Sequence, residues 1–191
     1  MRYCITGGIG AGKSYVCKRL EQRGIGIYDC DSAAKRLMHD SPGLRRSLTE
    51  LIGADAYNAD GTLNKPAITR FLLSSEENKQ RINAIVHPAV MEDFKASGLQ
   101  WMECAILYEA NLEHHVDKVI AVTAPTETRI RRIMQRDSLS YDKAREWIRK
   151  QTDQEAVAAR ADFVIRNDGI ADIDGQLDQA IAALGIATIQ S

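Results

Sequence analysis

The chain carries the stretch Gly7-Gly8-Ile9-Gly10-Ala11-Gly12-Lys13-Ser14 directly after the short β-prone segment Arg2-Tyr3-Cys4-Ile5-Thr6. Apolar residues then recur at the spacing of one helical face, at Val16, Cys17 and Leu20. The order of these three patterns predicts a strand, a glycine-rich loop and a helix in immediate succession.

The glycine-rich stretch satisfies in full the pattern Gly-x-x-x-x-Gly-Lys-Ser of a phosphate-binding loop. Its glycines allow backbone N–H groups to converge on phosphates at the positive end of a helix dipole, while Lys13 adds a charge and the Ser14 hydroxyl can ligate magnesium. A chance glycine-rich turn is the alternative, which the strand-to-helix context disfavours. We predict that a nucleoside triphosphate contacts Gly8, Gly10, Ala11, Gly12, Lys13, Ser14 and Tyr15.

Two carboxylates, Asp29 and Asp31, follow a second short strand pattern, Gly26-Ile27-Tyr28. Residues two apart on an extended segment point the same way, and the carboxyl ends of strands form the ligand edge of open α/β sheets. A carboxylate there is suited to take a proton from an attacking hydroxyl or to hold magnesium through water. A helix cap or solvated turn before Ala33 remains open for Asp29, whereas we predict a functional Asp31.

Three arginines, Arg129, Arg132 and Arg136, are spaced by three and four residues in one predicted helix, about 125–136. This spacing predicts that their guanidinium groups share one side of the helix, where they can clamp phosphates. A solvated charged face is the alternative and suits Arg129. Arg136 ends the helix beside a predicted lid, about 136–141, and so is the best candidate to close over a transferred phosphoryl group.

The length of 191 residues allows one compact domain, or one domain with an inserted subdomain. Lysine and arginine number 25 against 26 aspartates and glutamates, so the formal net charge is -1 and no global field favours nucleic acid or an anionic membrane. The chain has no apolar run near the roughly 18 residues of a membrane-spanning helix, and no leader pattern precedes the first strand. We therefore expect a cytoplasmic protein.

Strand and helix patterns divide the chain into a predicted nucleotide-binding core, 1–31 and 100–191, and a helical insert, 32–99. Within the insert, Pro88 marks a break between helices or a helix start. Strands alternating with helices predict an α/β fold with a parallel sheet covered on both faces. The predicted elements after the insert are strands at 102–108, 116–123 and 163–165, and helices at about 125–136, 140–151 and 173–184.

The four cysteines, Cys4, Cys17, Cys30 and Cys104, are far apart and form no C-x-x-C pair. We predict that they are reduced thiols, buried as small apolar side chains. For His87, a structural hydrogen-bonding role and a functional one both remain open. No zinc-type metal site is indicated.

An ordered series of further segments accompanies the phosphate loop. They are Asp29-Cys30-Asp31, Asp60-Gly61-Thr62-Leu63, His87-Pro88, Leu107-Tyr108-Glu109, Glu127-Thr128, Met134-Gln135-Arg136-Asp137 and Ala161-Asp162-Phe163-Val164-Ile165-Arg166-Asn167-Asp168-Gly169. In this combination the chain resembles the dephospho-coenzyme A kinases from end to end. The phosphate loop alone is widely shared, whereas the ordered set is specific.

The resemblance implies transfer of the γ-phosphoryl group of ATP to the 3′-hydroxyl of the ribose of dephospho-coenzyme A, the last step of coenzyme A synthesis. It also implies a five-stranded parallel P-loop core, a coenzyme-binding helical insert and a small lid. Asp31 is then the base, Lys13 and Arg136 stabilise the transferred group, and magnesium is held through Ser14. Arg132 and Asn167 would bind ATP, and the expected acceptor-binding residues are Asp29, Asp31, His87 and Glu109.

The chain departs from the family pattern at four positions. Family members commonly have serine, threonine, alanine and proline where this chain has Ala11, Tyr15, Cys30 and Ala105. Ala11 keeps the backbone donors of the loop, whereas Tyr15 removes the hydroxyl of the usual threonine.

Two other functions remain open from the residues. One is a kinase of a nucleoside monophosphate or another small acceptor, which acceptor choice would distinguish. The other is a non-enzymatic nucleotide switch, against which the chain lacks an Asn-Lys-x-Asp guanine-reading motif. The expected partners are ATP and dephospho-coenzyme A, without nucleic acid or membrane, and we expect a monomer with weak self-association left open.

Overall fold

The structure is a computed structural model, and it describes residues 1–186. A parallel sheet of five strands, in the order β2-β3-β1-β4-β5, confirms the predicted α/β class. The strands are β1 (Tyr3–Thr6), β2 (Ile27–Asp29), β3 (Trp101–Glu103), β4 (Lys118–Thr123) and β5 (Phe163–Arg166). The α-helices of the described residues are α1 (Lys13–Glu21), α2 (Cys30–Asp40), α3 (Pro42–Ile52), α4 (Lys65–Ser74), α5 (Glu76–Ala96), α6 (Thr126–Asp137), α7 (Tyr141–Arg149), α8 (Gln154–Arg160) and α9 (Ile173–Ala183).

The centre of the sheet is apolar on both faces. In β1 all four residues are buried, and in β4 the run 119–122 is buried without interruption, as the predicted continuous apolar pattern requires. Cys4 of β1 is paired in register with Met102 on one side and Val119 on the other. Tyr3 and Trp101 stack with ring centroids 4.5 Å apart.

The chain divides into two compact units, each described here by itself. The sheet unit comprises Met1–Tyr28 and the chain from Leu99 onward, and the helical unit comprises Asp29–Gly98. In the sheet unit, α1 and α9 supply Val16, Leu20 and Leu177 to the core beside β1, β4 and β5. Burial of these side chains explains why the apolar residues of both helices recur on one face.

The helical unit is built around α5, against which α2, α3 and α4 pack. The buried face of α5 includes Val86, Val90, Met91 and Phe94, spaced by about one helical turn. Pro88 lies inside this helix, so the predicted break at His87-Pro88 is wrong. Packing of the buried face on three neighbouring helices outweighs the backbone hydrogen bond that proline cannot donate.

Two further boundaries differ from the predictions. Strand β3 ends at Glu103, and residues 105–111 form turns where a strand to Tyr108 was expected. The predicted helix 140–151 ends at Arg149, and a separate helix, α8, follows because Asp153 caps it by accepting a hydrogen bond from the Glu155 amide. The last five residues of the predicted core, 187–191, lie outside the described residues.

The cysteine prediction is confirmed in its burial, because the side chains of all four cysteines are buried. Burial raises the pKa of the Cys17 thiol and of the Cys4 thiol well above the ordinary value. Within residues 1–186, no helix has the length and the apolar content needed to cross a membrane.

Candidate active site

The phosphate loop links the end of β1 to the start of α1 through two positions that only glycine fits. Gly7 has φ of 143°, and a side chain there would overlap the carbonyl oxygen of Val122. Gly12 is the N-cap of α1 in the left-handed conformation, with φ of 94°. The loop is closed by a hydrogen bond of 3.1 Å from the Ala11 amide to the Gly8 carbonyl. The observed strand, loop and helix follow one another as the sequence predicted.

The start of α1 has the charge distribution of an anion site. No acidic residue lies in the first turn of α1, where the helix dipole is positive. The Lys13 ammonium donates to the Gly7 carbonyl at 2.9 Å, which holds it against the loop. Peptide N–H groups, the helix dipole and this lysine together attract a polyanion.

Magnesium fits here only with oxygen ligands from a bound phosphate. Ser14 is exposed in the first turn of α1 and presents one hydroxyl. Among residues 1–186, no group of three or more histidines, cysteines or acidic residues is arranged to hold a metal ion. A site of one hydroxyl completed by phosphates and water suits magnesium, which usually keeps several waters.

A buried arginine and a glutamine hold the back of the loop. Arg129 Nε donates to the Ile9 carbonyl at 2.9 Å, and the Ile9 amide donates to Gln151 Oε1 at 2.8 Å. Arg129 Nη2 also donates to that glutamine oxygen at 3.2 Å. We call this arrangement the loop clasp; it satisfies both peptide groups of Ile9 from two different segments of the chain.

The solvated face considered for Arg129 is wrong, because this residue is only 4% exposed. Burial lowers the pKa of the guanidinium, although nearby Asp153 offsets part of that effect. A signal was present in the sequence, since Arg129 shares its helical face with the fully buried Ile133. Gln151 was missed, because a single glutamine between two helices has no local pattern that predicts its partner.

Replacing Arg129 with methionine should weaken both the fold and the loop. The Ile9 carbonyl would lose its donor, which costs roughly 1–3 kcal/mol for a buried group. We expect a lower free energy of unfolding in urea and weaker ATP binding by calorimetry. Arg131→Met is the matched control, because Arg131 is exposed on the same helix. Equal effects of the two substitutions would contradict the clasp.

A cavity of about 390 Å³ opens beside the loop within the sheet unit. Arg132 Nη1 donates to the carbonyls of Gly10 and Ala11 at 3.3 and 3.2 Å, and its Nη2 donates to Asn167 Oδ1 at 3.2 Å. The buried Asn167 donates from Nδ2 to the Ala11 carbonyl at 3.1 Å. The residues that line the cavity are Gly12, Tyr15, Arg132, Asn167, Gly169, Ala171 and Ile173.

Sequence reasoning thus identified several residues that the fold brings together. Tyr15, Arg132 and Asn167 come from three distant segments and line one cavity next to the phosphate loop. The cavity also contains apolar surface from Ala171 and Ile173, which no motif indicated. A pocket with some apolar surface and a few polar groups is typical of a small-molecule binding site.

The three arginines of α6 differ in their surroundings, although Arg129 and Arg132 both donate to carbonyls of the phosphate loop. Arg129 is buried, Arg132 is half-buried at the loop, and the Arg136 side chain is 62% exposed. Arg136 forms an ion pair with the adjacent Asp137, at 2.7 Å from Nη2 to Oδ2. The connection to α7 spans only 138–140, and Ser138 has a left-handed φ of 54°.

Asp29 is the N-cap of α2, and the extended conformation predicted through Asp31 is wrong. Asp29 Oδ1 accepts from the amides of Asp31 at 2.9 Å and Ser32 at 3.1 Å, and Oδ2 accepts from the Ser32 hydroxyl at 2.6 Å. Capping starts the helix at Cys30, so the two carboxylates do not alternate along a strand. Burial alone would raise the pKa of Asp29, but the hydrogen bonds from Ser32 and Asp31 outweigh it and lower the pKa.

The remaining predicted acceptor residues lie in different parts of the chain. Asp31 is exposed in the first turn of α2, and His87 is half-buried in α5 of the helical unit. Burial lowers the pKa of His87, which favours the neutral imidazole. Glu109 is exposed in the turns that follow β3 in the sheet unit.

Comparisons with known proteins agree with this arrangement. A family model described as Dephospho-CoA kinase matches residues 2–172. The dephospho-CoA kinase of Salinibacter ruber is 38% identical over 174 residues, covering 86% of this chain and 87% of that protein. That of Bacteroides fragilis strain YCH46 is 36% identical over 191 residues, covering 94% and 91%. A crystal structure from Thermus thermophilus superimposes with a TM-score of 0.82 at 29% identity, covering 98% of each chain.

Proposed function

This chain belongs to the dephospho-CoA kinase family, and we propose that its phosphate loop presents ATP to the 3′-hydroxyl of dephospho-coenzyme A. The enzyme transfers the γ-phosphoryl group of ATP and releases ADP and coenzyme A, the last step of coenzyme A synthesis. The observation that carries this function is the complete phosphate loop, beside a cavity of about 390 Å³, in a chain matched by the family model over 2–172. A nucleoside monophosphate kinase and a nucleotide switch are not favoured.

ATP binding is divided between the loop and the cavity. Amides of the loop and Lys13 bind the β- and γ-phosphates, because they combine N–H donors with a positive helix end. The adenine enters the cavity, where Arg132 and Asn167 stand beside the Ala11 carbonyl. The same two side chains therefore connect the base site to the phosphate site.

Asp31 is the proposed general base toward the 3′-hydroxyl. It follows the end of β2 by two residues, and β2 belongs to the same sheet as β1, which precedes the phosphate loop. Ligands of such sheets bind at the carboxyl ends of the strands. Asp29, whose carboxylate is occupied by capping, acts by setting the position of Asp31. Two further residues are proposed to bind the acceptor: His87, which lies in the helical unit, and Glu109, which lies in the sheet unit.

Magnesium, when bound with ATP, neutralises charge on the β- and γ-phosphate oxygens. The Ser14 hydroxyl would be the ligand from the protein, and phosphates and water would supply the others. Ser14 itself does two things in this proposal: it contributes an amide to the start of α1 and an exposed hydroxyl next to the loop.

Arg136 and the connection 138–140 form the proposed lid. The ion pair of Arg136 with Asp137 is largely exposed on the arginine side, and such pairs contribute about 0–1 kcal/mol. The guanidinium can therefore exchange this partner for a phosphoryl oxygen at little cost. Closure would exclude water, which otherwise competes with the 3′-hydroxyl and hydrolyses ATP.

The choice of acceptor tests the proposed function. We expect ATP consumption with dephospho-coenzyme A and a background rate with AMP, CMP or UMP under the same conditions. The product should carry a new 3′-phosphate, which phosphorus NMR distinguishes from a diphosphate. Preferential phosphorylation of a nucleoside monophosphate would overturn the proposal, and ATP hydrolysis indifferent to every acceptor would do the same.

The remaining parts of the proposal concern surroundings and assembly. We propose that the enzyme works in the cytoplasm as a monomer on two small polyanionic substrates. The net charge of -1 gives no general attraction to nucleic acid, and the positive groups are concentrated at the loop and α6.

A further inference from the structure

The side chain of Tyr15 occupies a position that no phosphate-binding role explains. Tyr15 lies in the first turn of α1, lines the cavity and is 45% exposed. Among the described residues that line that cavity, it is the only one with an aromatic side chain. Its ring is therefore partly accessible at the cavity, where a bound ligand can pack against it.

Arg19 contacts both the hydroxyl group and the ring of Tyr15. Arg19, one helical turn later, donates to the Tyr15 hydroxyl from Nη2 at 2.8 Å and from Nε at 3.2 Å. The guanidinium carbon of Arg19 lies 5.2 Å from the centroid of the ring. These contacts restrict the rotation of the tyrosine before any ligand arrives, which reduces the entropy lost when a ligand packs on it.

Arg19 also connects α1 to α9, the helix that begins at Ile173, a lining residue of the cavity. Arg19 Nη1 lies 3.4 Å from Asp174 Oδ2, and Asp174 is in the first turn of α9. Residues 169–173, immediately before Asp174, include the apolar lining of the cavity. The chain of contacts from Asp174 through Arg19 to Tyr15 therefore links one lining residue of the cavity to the residue that directly follows Ile173, another lining residue.

We propose that Tyr15 is a specificity-determining residue whose ring packs on the base of the bound nucleotide. This inference rests on the proposed function, in which the cavity holds the adenine of ATP. Aromatic rings stack on every base, but a purine covers more of the ring than a pyrimidine does. Tyr15 therefore favours ATP over CTP in this chain, and Arg19 acts as a positioning residue that keeps the ring in place.

Direct nucleotide binding by calorimetry, without an acceptor, tests this inference. For Tyr15→Thr we expect the Kd of ATP to rise about tenfold and the Kd of CTP to change less than about threefold. Tyr15→Phe keeps the ring and loses only the hydroxyl acceptor, so a rise of about two- to threefold is expected. Binding of ATP within twofold of wild type by Tyr15→Thr, or an equal loss for ATP and CTP, would overturn the assignment to the base.

Arg19 and Arg23 provide a matched pair of controls. Arg19 lies on α1 and Arg23 lies just after its end; both contact Asp174, but only Arg19 contacts Tyr15. We expect Arg19→Gln to weaken ATP binding about two- to threefold and Arg23→Gln to leave it unchanged, although Arg23→Gln loses two ion pairs, with Asp174 and Asp178, and Arg19→Gln loses one. The same loss in both variants would show that α9 docking, and not the ring, governs affinity.

The proposed function and this inference fail in different ways. If the wild-type chain binds ATP but does not phosphorylate dephospho-coenzyme A, the proposed function is wrong. The binding measurements, which use no acceptor, still test the contact of Tyr15 with the base. If it phosphorylates dephospho-coenzyme A but Tyr15→Thr keeps its preference for ATP over CTP, only the assignment of Tyr15 is wrong.

Discussion

Replacing Asp31 with asparagine is expected to lower kcat by roughly 10²- to 10⁴-fold, the contribution of a positioned general base. Asparagine has nearly the same shape and can still orient a hydroxyl, but it cannot accept the proton. Because Asp31 is exposed at the start of a helix that Asp29 caps, its replacement should leave folding intact. Steady-state kinetics with dephospho-coenzyme A as the varied substrate measure the change.

Asp29→Asn separates the base from the helix cap beside it. Asparagine is as good an N-cap as aspartate, so α2 should still begin at Cys30. We expect a loss in kcat of less than about tenfold, far below that of Asp31→Asn. If Asp31→Asn keeps kcat within a fewfold of wild type, the assignment of the base must be dropped. If Asp29→Asn shows the larger loss, Asp29 is the base.

Replacing Gly12 with alanine is expected to abolish measurable ATP binding. The residue has φ of 94°, a conformation that costs other residues about 1–2 kcal/mol. In addition, the new methyl group would overlap Nδ2 of Asn167 and would lie 3.4 Å from Nη1 of Arg132. Asn167 is buried and bonded to the Ala11 carbonyl, so it cannot move without opening the cavity. We expect the Kd of ATP to rise more than about 100-fold, equivalent to about 2.7 kcal/mol.

Gly24→Ala isolates the steric part of this effect. Gly24 also has a positive φ, 80°, but a methyl group added there meets no atom within 4 Å. We therefore expect a loss of stability of about 1 kcal/mol in urea unfolding and an unchanged Kd for ATP. If Gly12→Ala weakens ATP binding no more than Gly24→Ala does, the contact of Gly12 with Asn167 is not essential to the site.

The phosphate loop and its surroundings differ in how far a sequence can predict them. Gly7, Gly12 and Lys13 act through backbone conformation and charge within one short segment, so their spacing alone predicts strand, loop and helix. The same holds for β4, because a continuous apolar run is required wherever a strand is covered on both faces. The loop depends on residues that lie close together along the chain. Strand β4 requires only that its neighbours on both faces be apolar.

Other features depended on a competition that local patterns do not decide. Local patterns allowed Asp29 either to continue a strand or to cap a helix. In the structure it caps the helix, because its carboxylate accepts hydrogen bonds from two backbone amides. Pro88 remained inside α5 because the buried face of that helix packs on three others. At Asp29 a helix cap outweighed the local preference for a strand. At Pro88 tertiary packing outweighed the local preference for a break in the helix.

The sequence by itself determined the family, the fold class and the chemistry of the phosphate loop. These features follow from short segments in which residue type and spacing set the backbone conformation and the charge. Only the tertiary structure decided the contacts of Arg129, Gln151 and Arg19. Arg129 and Gln151 meet Ile9 from positions more than 100 residues away, and Arg19 reaches Asp174 across a similar separation. Such contacts form only after the sheet has brought α1, α6 and α9 together. The sequence around either residue does not predict its partner.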